Sequence, residues 1–243
     1  MFLNTYFLRI YILEDKRILA IVLARAGSKR IKNKNIKELG SKPLIAWTIE
    51  TAVKSNLFDH VLVSTDSLEI KKISELYGGY APWLRPHEFA TDTSSSMGAI
   101  LHALSWYIEH YSKPDCVVIL QPTSPFRKIE TLEKFTNRFF ETSAKLMVTV
   151  DEVKKHPAWC FRQKPNIIEP LLGWEQMNKR SQDLAKVYVL NGLIFAGTPN
   201  EIMNHNGFLS GDTELFITND VLESIDIDDT DDWDHAVKVL PLI

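Results

Sequence analysis

The sequence predicts an α/β fold in which strands of a mostly parallel sheet are wrapped by helices. Three observations carry that expectation. Short apolar runs alternate with segments of helical period. The first run, Ile18 to Ala24 (ILAIVLA), is nearly continuous and partly β-branched, as a strand buried on both faces would be. The residues after several runs are polar or charged, and ligands of open α/β sheets bind beyond the carboxyl ends of the strands.

Taken in order, Pro43 opens PLIAWTIETAVKS, which sets Leu44, Ile45, Thr48, Ile49, Ala52 and Val53 on one helical face, with proline in the first turn. HVLVST reads as a second strand and LEIKKISELYGG as a helix stopped at Gly78 and Gly79. SSMGAILHALSWYIEHY is a helix with Met97, Ile100, Leu101, Leu104 and Ile108 inward. DCVVILQP is the next strand, followed by a helix from about Glu130 to Thr142 and a strand at KLMVTVDEV. The stretch from Lys154 to about Asp183, with Pro157, Pro165, Pro170 and Gly173, reads as an irregular inserted arm. VYVLNGLIFAG and ESIDI return to strand, and DDWDHAVKVL closes the chain as a helix.

A chain of 243 residues accommodates one large α/β domain with a modest insertion. The expected division is a leader of uncertain structure at 1–17 and a domain at 18–243, with the insertion at about 154–186. With 45% hydrophobic residues, 24% charged residues and a net charge of −3, the chain lacks the basic field expected of a nucleic-acid binder. Its two cysteines, Cys116 and Cys160, have no partner at zinc-ligand spacing and suit a reducing compartment. The apolar start is interrupted by Arg9 and is too short to span a bilayer, so a cytoplasmic protein with no membrane association is expected.

Two charge features stand out. From Arg25 to Lys42 there are seven basic residues and one acidic residue, Glu38. Within it, RAGSKRIKNKN holds one glycine, Gly27, and so matches neither the P-loop nor the G-x-G-x-x-G pattern. A strand ending in a small-residue turn can still aim backbone N–H groups at phosphates, with Arg25, Lys29, Arg30 and Lys34 adding charge. A solvated basic loop is the competing reading. At the other end, Glu223 to Asp234 carries seven acidic residues and no basic one. In SIDID, Asp226 and Asp228 fall on one face of an extended chain. Paired carboxylates suit magnesium, which takes one or two carboxylates together with substrate phosphates. Thr230 is the expected N-cap of the last helix, with Asp231 and Asp232 complementing its dipole.

LARAGSKRIKNKNI, GSKPLIAWTI, VSTD, LRPHEFATDTSSS, LQPTSPFR, NGLIF and SIDIDD occur in an order and spacing that resemble the acylneuraminate cytidylyltransferases, from about Ile18 to the C-terminus. The resemblance implies a three-layer, Rossmann-like nucleotide-diphosphosugar-transferase fold and a homodimer joined through the inserted arm. It also implies transfer of CMP from CTP to a nonulosonic acid of the N-acetylneuraminic or legionaminic type, with Mg2+. It places Ala24, Arg25, Ser28, Lys29, Lys34, Asn35, Arg85 and Ser96 on CTP, Gln121 on the sugar, and Asp226 and Asp228 on the metal. Arg25, Lys34 and the aspartate pair become the catalytic candidates. Where many members read RRQDLPP before PNG, this chain has KRSQDLAKVYVLNG; Ser181 stands for the second arginine, leaving Arg180 and Lys186 as candidates for the sugar carboxylate. The alternatives are cytidylyltransferases for Kdo or pseudaminic acid, a sugar-nucleotide glycosyltransferase, and a non-catalytic nucleotide-binding protein. TDTSSS resembles sialic and legionaminic members more than pseudaminic ones.

Overall fold

Strand β1 (Ile18–Leu23) is buried along nearly its whole length because it lies between two neighbours and under helices on both faces. The computed structural model describes residues 13, 15–91, 94–165 and 167–242. Most of the 1–17 leader, and Asp92 and Thr93 of TDTSSS, lie outside the described residues. Beside β1 run β4 (His60–Ser64) and β5 (Cys116–Ile119), both parallel to it, while β2 (Glu38–Leu39) and β3 (Lys42–Pro43) form a separate antiparallel pair. Next come β9 (Tyr188–Gly197), β6 (Leu146–Glu152) and β10 (Glu214–Ile217), completing a six-stranded sheet of order β10-β6-β9-β5-β1-β4. Strand β9 alone opposes its neighbours, pairing antiparallel with β5 and β6, whereas β10 is parallel to β6.

Alternation along β1 sorts its side chains into two cores. Ile18, Ala20 and Val22 face helices α1 (Leu44–Lys54), α2 (Leu68–Leu76) and α4 (Ile129–Glu141), meeting Ile45, Ile49, Ile70, Leu132 and Phe135. Leu19 and Ile21 face α3 (Ser96–His110) and α6 (Pro199–His205), meeting Ile100, Leu104 and Ile202. This is the expected three-layer arrangement. In α1, Ala46 takes the buried place expected of Val53, which is 38% exposed, and Pro43 sits at the N-cap. In α3 the deepest positions are Ala99, Ile100, Ala103, Leu104 and Tyr107, with Met97, Leu101 and Ile108 packed at the margin.

A third core fixes the two charged segments relative to one another. Ile31 of the basic loop, Leu39, Leu44 and Phe126 pack with Ile225, Ile227 and Trp233. Each buried side chain of this size contributes roughly 1.5–3 kcal/mol. The packing carries residues 225–228 to the basic loop, about 200 residues distant in sequence.

Four local expectations are corrected. The ESIDI segment forms no strand; its Ile227 N–H donates to Thr123 O at 2.8 Å, and the alternation reflects buried isoleucines between outward aspartates. Strand β10 was not anticipated. The last helix, α7 (Thr230–Val239), is capped by Asp229 with Asp232 in a reciprocal capping box, in place of Thr230. The arm is less irregular than its prolines suggest. It holds an antiparallel pair, β7 (Phe161–Gln163) with β8 (Ile168–Pro170), and the short helix α5 (Gly173–Met177).

Candidate active site

Beyond the carboxyl ends of β1, β4 and β5 lies a cavity of about 680 Å³. Of the residues singled out in the sequence, Arg25, Ser28, Lys29, Lys34, Asn35, Arg85, Ser96, Gln121 and Asp228 line it. The basic loop is held from several sides. Ala24 is fully buried and its N–H donates to Ser64 O at 3.0 Å; it anchors the loop without lining the cavity. Asn35 Nδ2 donates to Arg25 O at 3.0 Å, and Ala26 N–H donates to Asp66 Oδ1 at 2.8 Å. The nest therefore spends one of its amides on Asp66, the acid of the VSTD motif.

Arg85, 7% exposed, donates through Nε to Ser64 Oγ at 2.9 Å and through Nη2 to Ser64 O at 2.5 Å. Burial lowers its pKa, with nearby Asp66 opposing and Arg25 adding to the shift. The motif arginine thus braces the end of β4 while its outer edge borders the cavity. Ser95 caps α3, accepting from Gly98 N–H at 3.2 Å, so Ser96 enters the cavity wall at the first turn of a helix.

Lys34 reaches across to the acidic segment. Its Nζ donates to Ile227 O at 2.7 Å and lies 3.3 Å from Asp228 Oδ1. Arg30 of the same loop stands 3.5 Å from Asp228 Oδ2. Lys37 lies 4.1 Å from the centre of the Trp233 ring, so it too has a packing role. Asp228 is exposed, whereas Asp226 is half-buried with Oδ1 sealed from solvent and without a hydrogen-bond partner. Burial raises the Asp226 pKa, Thr123 opposes through a hydrogen bond, and the Asp228 carboxylate adds to the rise. Among the described residues no group of three or more His, Cys, Asp or Glu could hold a metal. The donor set is this carboxylate pair, with one orphaned oxygen.

Gln121 and Asp226 meet at Gly192. A methyl group placed on its Cα would lie 3.7 Å from Asp226 Oδ2 and 3.8 Å from Gln121 Nε2, and its φ of +73° suits glycine. Arg180 and Lys186 are not brought to this cavity within the chain. Arg180 caps a single turn of 3-10 helix in the arm, and Lys186 pairs with Glu152 at 3.0 Å. Phe89, Met97, Phe195 and Phe208 supply an apolar wall. Those residues were read as core or left unassigned, because hydrophobic periodicity does not distinguish a core face from a cavity wall.

Residues 19–166 match a family model described as cytidylyltransferase. The chain is 37% identical over 228 residues to the CMP-N,N'-diacetyllegionaminic acid synthase of Legionella pneumophila, covering 93% of this chain and 97% of that protein. It is 36% identical over 231 residues to an N-acylneuraminate cytidylyltransferase of Escherichia coli, spanning 92% of this chain but 52% of that longer protein. Solved structures of similar fold include a CMP:2-keto-3-deoxy-manno-octonic acid synthetase in complex with CTP, at TM-score 0.67 and 14% identity over 93% of this chain and 99% of that one. The 4-diphosphocytidyl-2C-methyl-D-erythritol synthase of Anaerococcus prevotii gives TM-score 0.68 at 14% identity, over 95% and 99%. With the family model matching more than half of its length and these relatives, the chain belongs to the cytidylyltransferase family.

Proposed function

We propose that the chain transfers CMP from CTP to the anomeric hydroxyl of a nonulosonic acid of the N-acetylneuraminic or legionaminic type, releasing diphosphate. The observation that carries this reading is the cavity itself, lined by Arg25, Lys29, Lys34 and Asp228, with Asp226 meeting the lining residue Gln121 at Gly192. The 37% identity to a legionaminic acid synthase over nearly the full length of both proteins supports the choice of acceptor.

In the reaction the sugar hydroxyl oxygen forms a bond to the α-phosphorus, the bond from that phosphorus to the bridging oxygen breaks, and diphosphate departs as the hydroxyl proton passes to solvent. Binding both substrates in one cavity supplies positioning. Arg25, Lys29 and Lys34 stabilise the charge that accumulates on the leaving diphosphate. Arg85 and Ser96 bound the nucleotide, and Gln121 presents its amide to the sugar. Asp226 and Asp228 would hold Mg2+; the orphaned buried Oδ1 of Asp226 and the all-oxygen donor pair suit a hard cation. When bound, that ion neutralises phosphate oxygens.

The reading includes a homodimer joined through the arm. Trp159, Phe161, Ile168, Leu172 and Trp174 expose 40–60% of their surface, an apolar face of the kind that interfaces bury. Arg180 and Lys186, remote from the cavity of their own chain, would then face the neighbour. Among the described residues no helix is long and apolar enough to cross a membrane, and both cysteines are unpaired.

The test is diphosphate release from each of the four nucleoside triphosphates with Mg2+ and a panel of N-acetylneuraminic, legionaminic, pseudaminic and Kdo acids. Release is expected with CTP and an acid of the first two kinds. Folded protein that releases none with CTP and any acid overturns the reading.

A further inference from the structure

Arg127 closes the LQPTSPFR motif and is 3% exposed. A guanidinium so deeply buried is expected to meet a carboxylate, yet among the described residues it forms no ion pair. Its partners are uncharged oxygens. Nε and Nη2 donate to Leu193 O at 3.1 and 2.7 Å, Nη2 also donates to Gln121 O at 3.2 Å, and Nη1 donates to Thr48 Oγ1 at 3.2 Å. The Thr48 hydroxyl in turn donates to Gln121 O at 3.3 Å. Burial pulls the Arg127 pKa down to about 9, with the Glu223 carboxylate as the opposing influence.

The strand geometry explains why a buried cation sits there. The β5–β9 pairing ends at Ile119 opposite Phe195, and the β6–β9 register slips between Val148 and Val150. Around residues 191–194, β9 therefore leaves its ladder. The Thr149 side chain repairs one side, accepting from Ile194 N–H at 2.9 Å and donating to Ile194 O at 3.1 Å. On the other side the Leu193 carbonyl would be left inside the protein without a donor, and the Gln121 carbonyl would keep only the Ser124 N–H and the Thr48 hydroxyl, each at 3.3 Å. Arg127 donates to both carbonyls. A planar fork with several N–H groups can span both carbonyls and a hydroxyl at once, which a lysine ammonium cannot.

Both carbonyls belong to the candidate site. Gln121 carries the amide assigned to the sugar, and Leu193 follows Gly192, the residue at which that amide and Asp226 converge. The same turn also holds the acidic segment. Thr123 O accepts from Ile227 N–H at 2.8 Å, and Lys128 N–H donates to Glu223 Oε1 at 2.7 Å. We infer that Arg127 is a positioning residue of the transfer reaction, locking the splayed ends of β5 and β9 so that the Gln121 amide and Asp226 hold a fixed separation across Gly192. This rests on the function proposed above. Arg127 touches neither substrate nor metal and serves the acceptor side of the cavity, while CTP is gripped mainly by the basic loop and the motifs at Arg85 and Ser96.

The experiment compares wild type with Arg127→Lys, using the nonulosonic acid that the wild type uses fastest, with folding checked by circular dichroism and thermal melting. Because misplacement by an ångström can cost about a hundredfold, kcat/KM for the acid is expected to fall roughly tenfold to a hundredfold. CTP affinity by calorimetry should stay within about twofold, since general loosening of the fold would shift both substrates together. Folded Arg127→Lys with wild-type acid kinetics, or with CTP affinity reduced in parallel, overturns the inference. If that variant does not fold, Thr48→Val is read in its place. It deletes one of the four Arg127 bonds together with the bond from the Thr48 hydroxyl to Gln121 O, and a fall of about two- to fivefold in acid kcat/KM at unchanged CTP affinity is expected; unchanged acid kinetics overturn the inference. Wild type that binds CTP but turns over no acid overturns the function itself, and the positioning role with it.

Discussion

Asp226→Asn should make the metal-free protein more stable and the enzyme far slower. In the wild type, burial and the neighbouring Asp228 hold the Asp226 pKa above its ordinary value, and one carboxylate oxygen has no hydrogen-bond partner. A carboxyl group whose folded pKa is raised contributes least once both folded and unfolded forms are ionised. Its unfavourable contribution therefore grows as pH climbs from below the unfolded value through the folded one, and is complete at neutral pH. An unsatisfied buried polar group costs about 1–3 kcal/mol, and because Asp226 is half-buried the lower end applies, about 1 kcal/mol. For a chain of this size that corresponds to a rise of about 2–4 °C in Tm on replacing the carboxylate. The assay is a pair of melting curves in EDTA and in excess Mg2+, with diphosphate release measured alongside. In EDTA the variant should melt above wild type at pH 7 and lose that advantage near pH 3. With Mg2+ the wild type should gain stability through binding, and the variant should not. Turnover should drop by about two orders of magnitude or more, the scale of removing one transition-state electrostatic contact. A variant that melts lower in EDTA at pH 7, or keeps both its Mg2+ response and its turnover, would refute the argument.

Three further outcomes are expected. Lys34→Met removes the ammonium that spans Ile227 O and Asp228, and should weaken CTP affinity by roughly tenfold in a calorimetric titration, the loss of a charge-assisted contact; unchanged affinity would remove Lys34 from the nucleotide site. Asp151 is drawn the other way: burial would raise its pKa, but hydrogen bonds from Ser224, Thr218, the Asn219 N–H and Asn191 outweigh it and lower the pKa. The stabilisation is therefore complete above the unfolded value and is lost as pH falls through the folded one. Asp151→Asn should cost about 1.5–3 kcal/mol at pH 7 and little at pH 2–3 in urea titrations, and an equal loss at both would refute the assignment. Ile168→Asp with Leu172→Asp in the arm should convert a dimer to a monomer in light scattering, and a wild type already monomeric at tens of micromolar would end the dimer proposal.

The charged half of the candidate site was largely legible because charge announces itself. The loop from Arg25 to Asn35 and the pair Asp226 and Asp228 stand out by composition, and burial of Ile31, Ile225 and Ile227 in one core joins them. Alternation in SIDID set Asp226 and Asp228 on one face, opposite the buried Ile225 and Ile227, but implied a strand. Period two reports two faces of an extended chain; a neighbour must be present to make a ladder. Strand β10 escaped notice because Leu215 and Ile217 are nearly half exposed and the strand pairs only with β6. Arg127 stood in full view within a quoted motif. Its role depends on β5 and β9 parting where they do, a long-range fact with no local signature. Lys186 differs: nothing in the sequence signals that its ammonium pairs with Glu152 in its own chain.

The reversed course of β9 has an evolutionary consequence. An ordinary parallel strand would enter the sheet at the far rim, but β9 starts on the cavity side, so the chain segment before it, the arm, is rooted on the same rim as the cavity. Insertions or exchanges in 154–186 can therefore accumulate at that rim without disturbing either hydrophobic layer. The sheet is free to stay constant while the arm diverges.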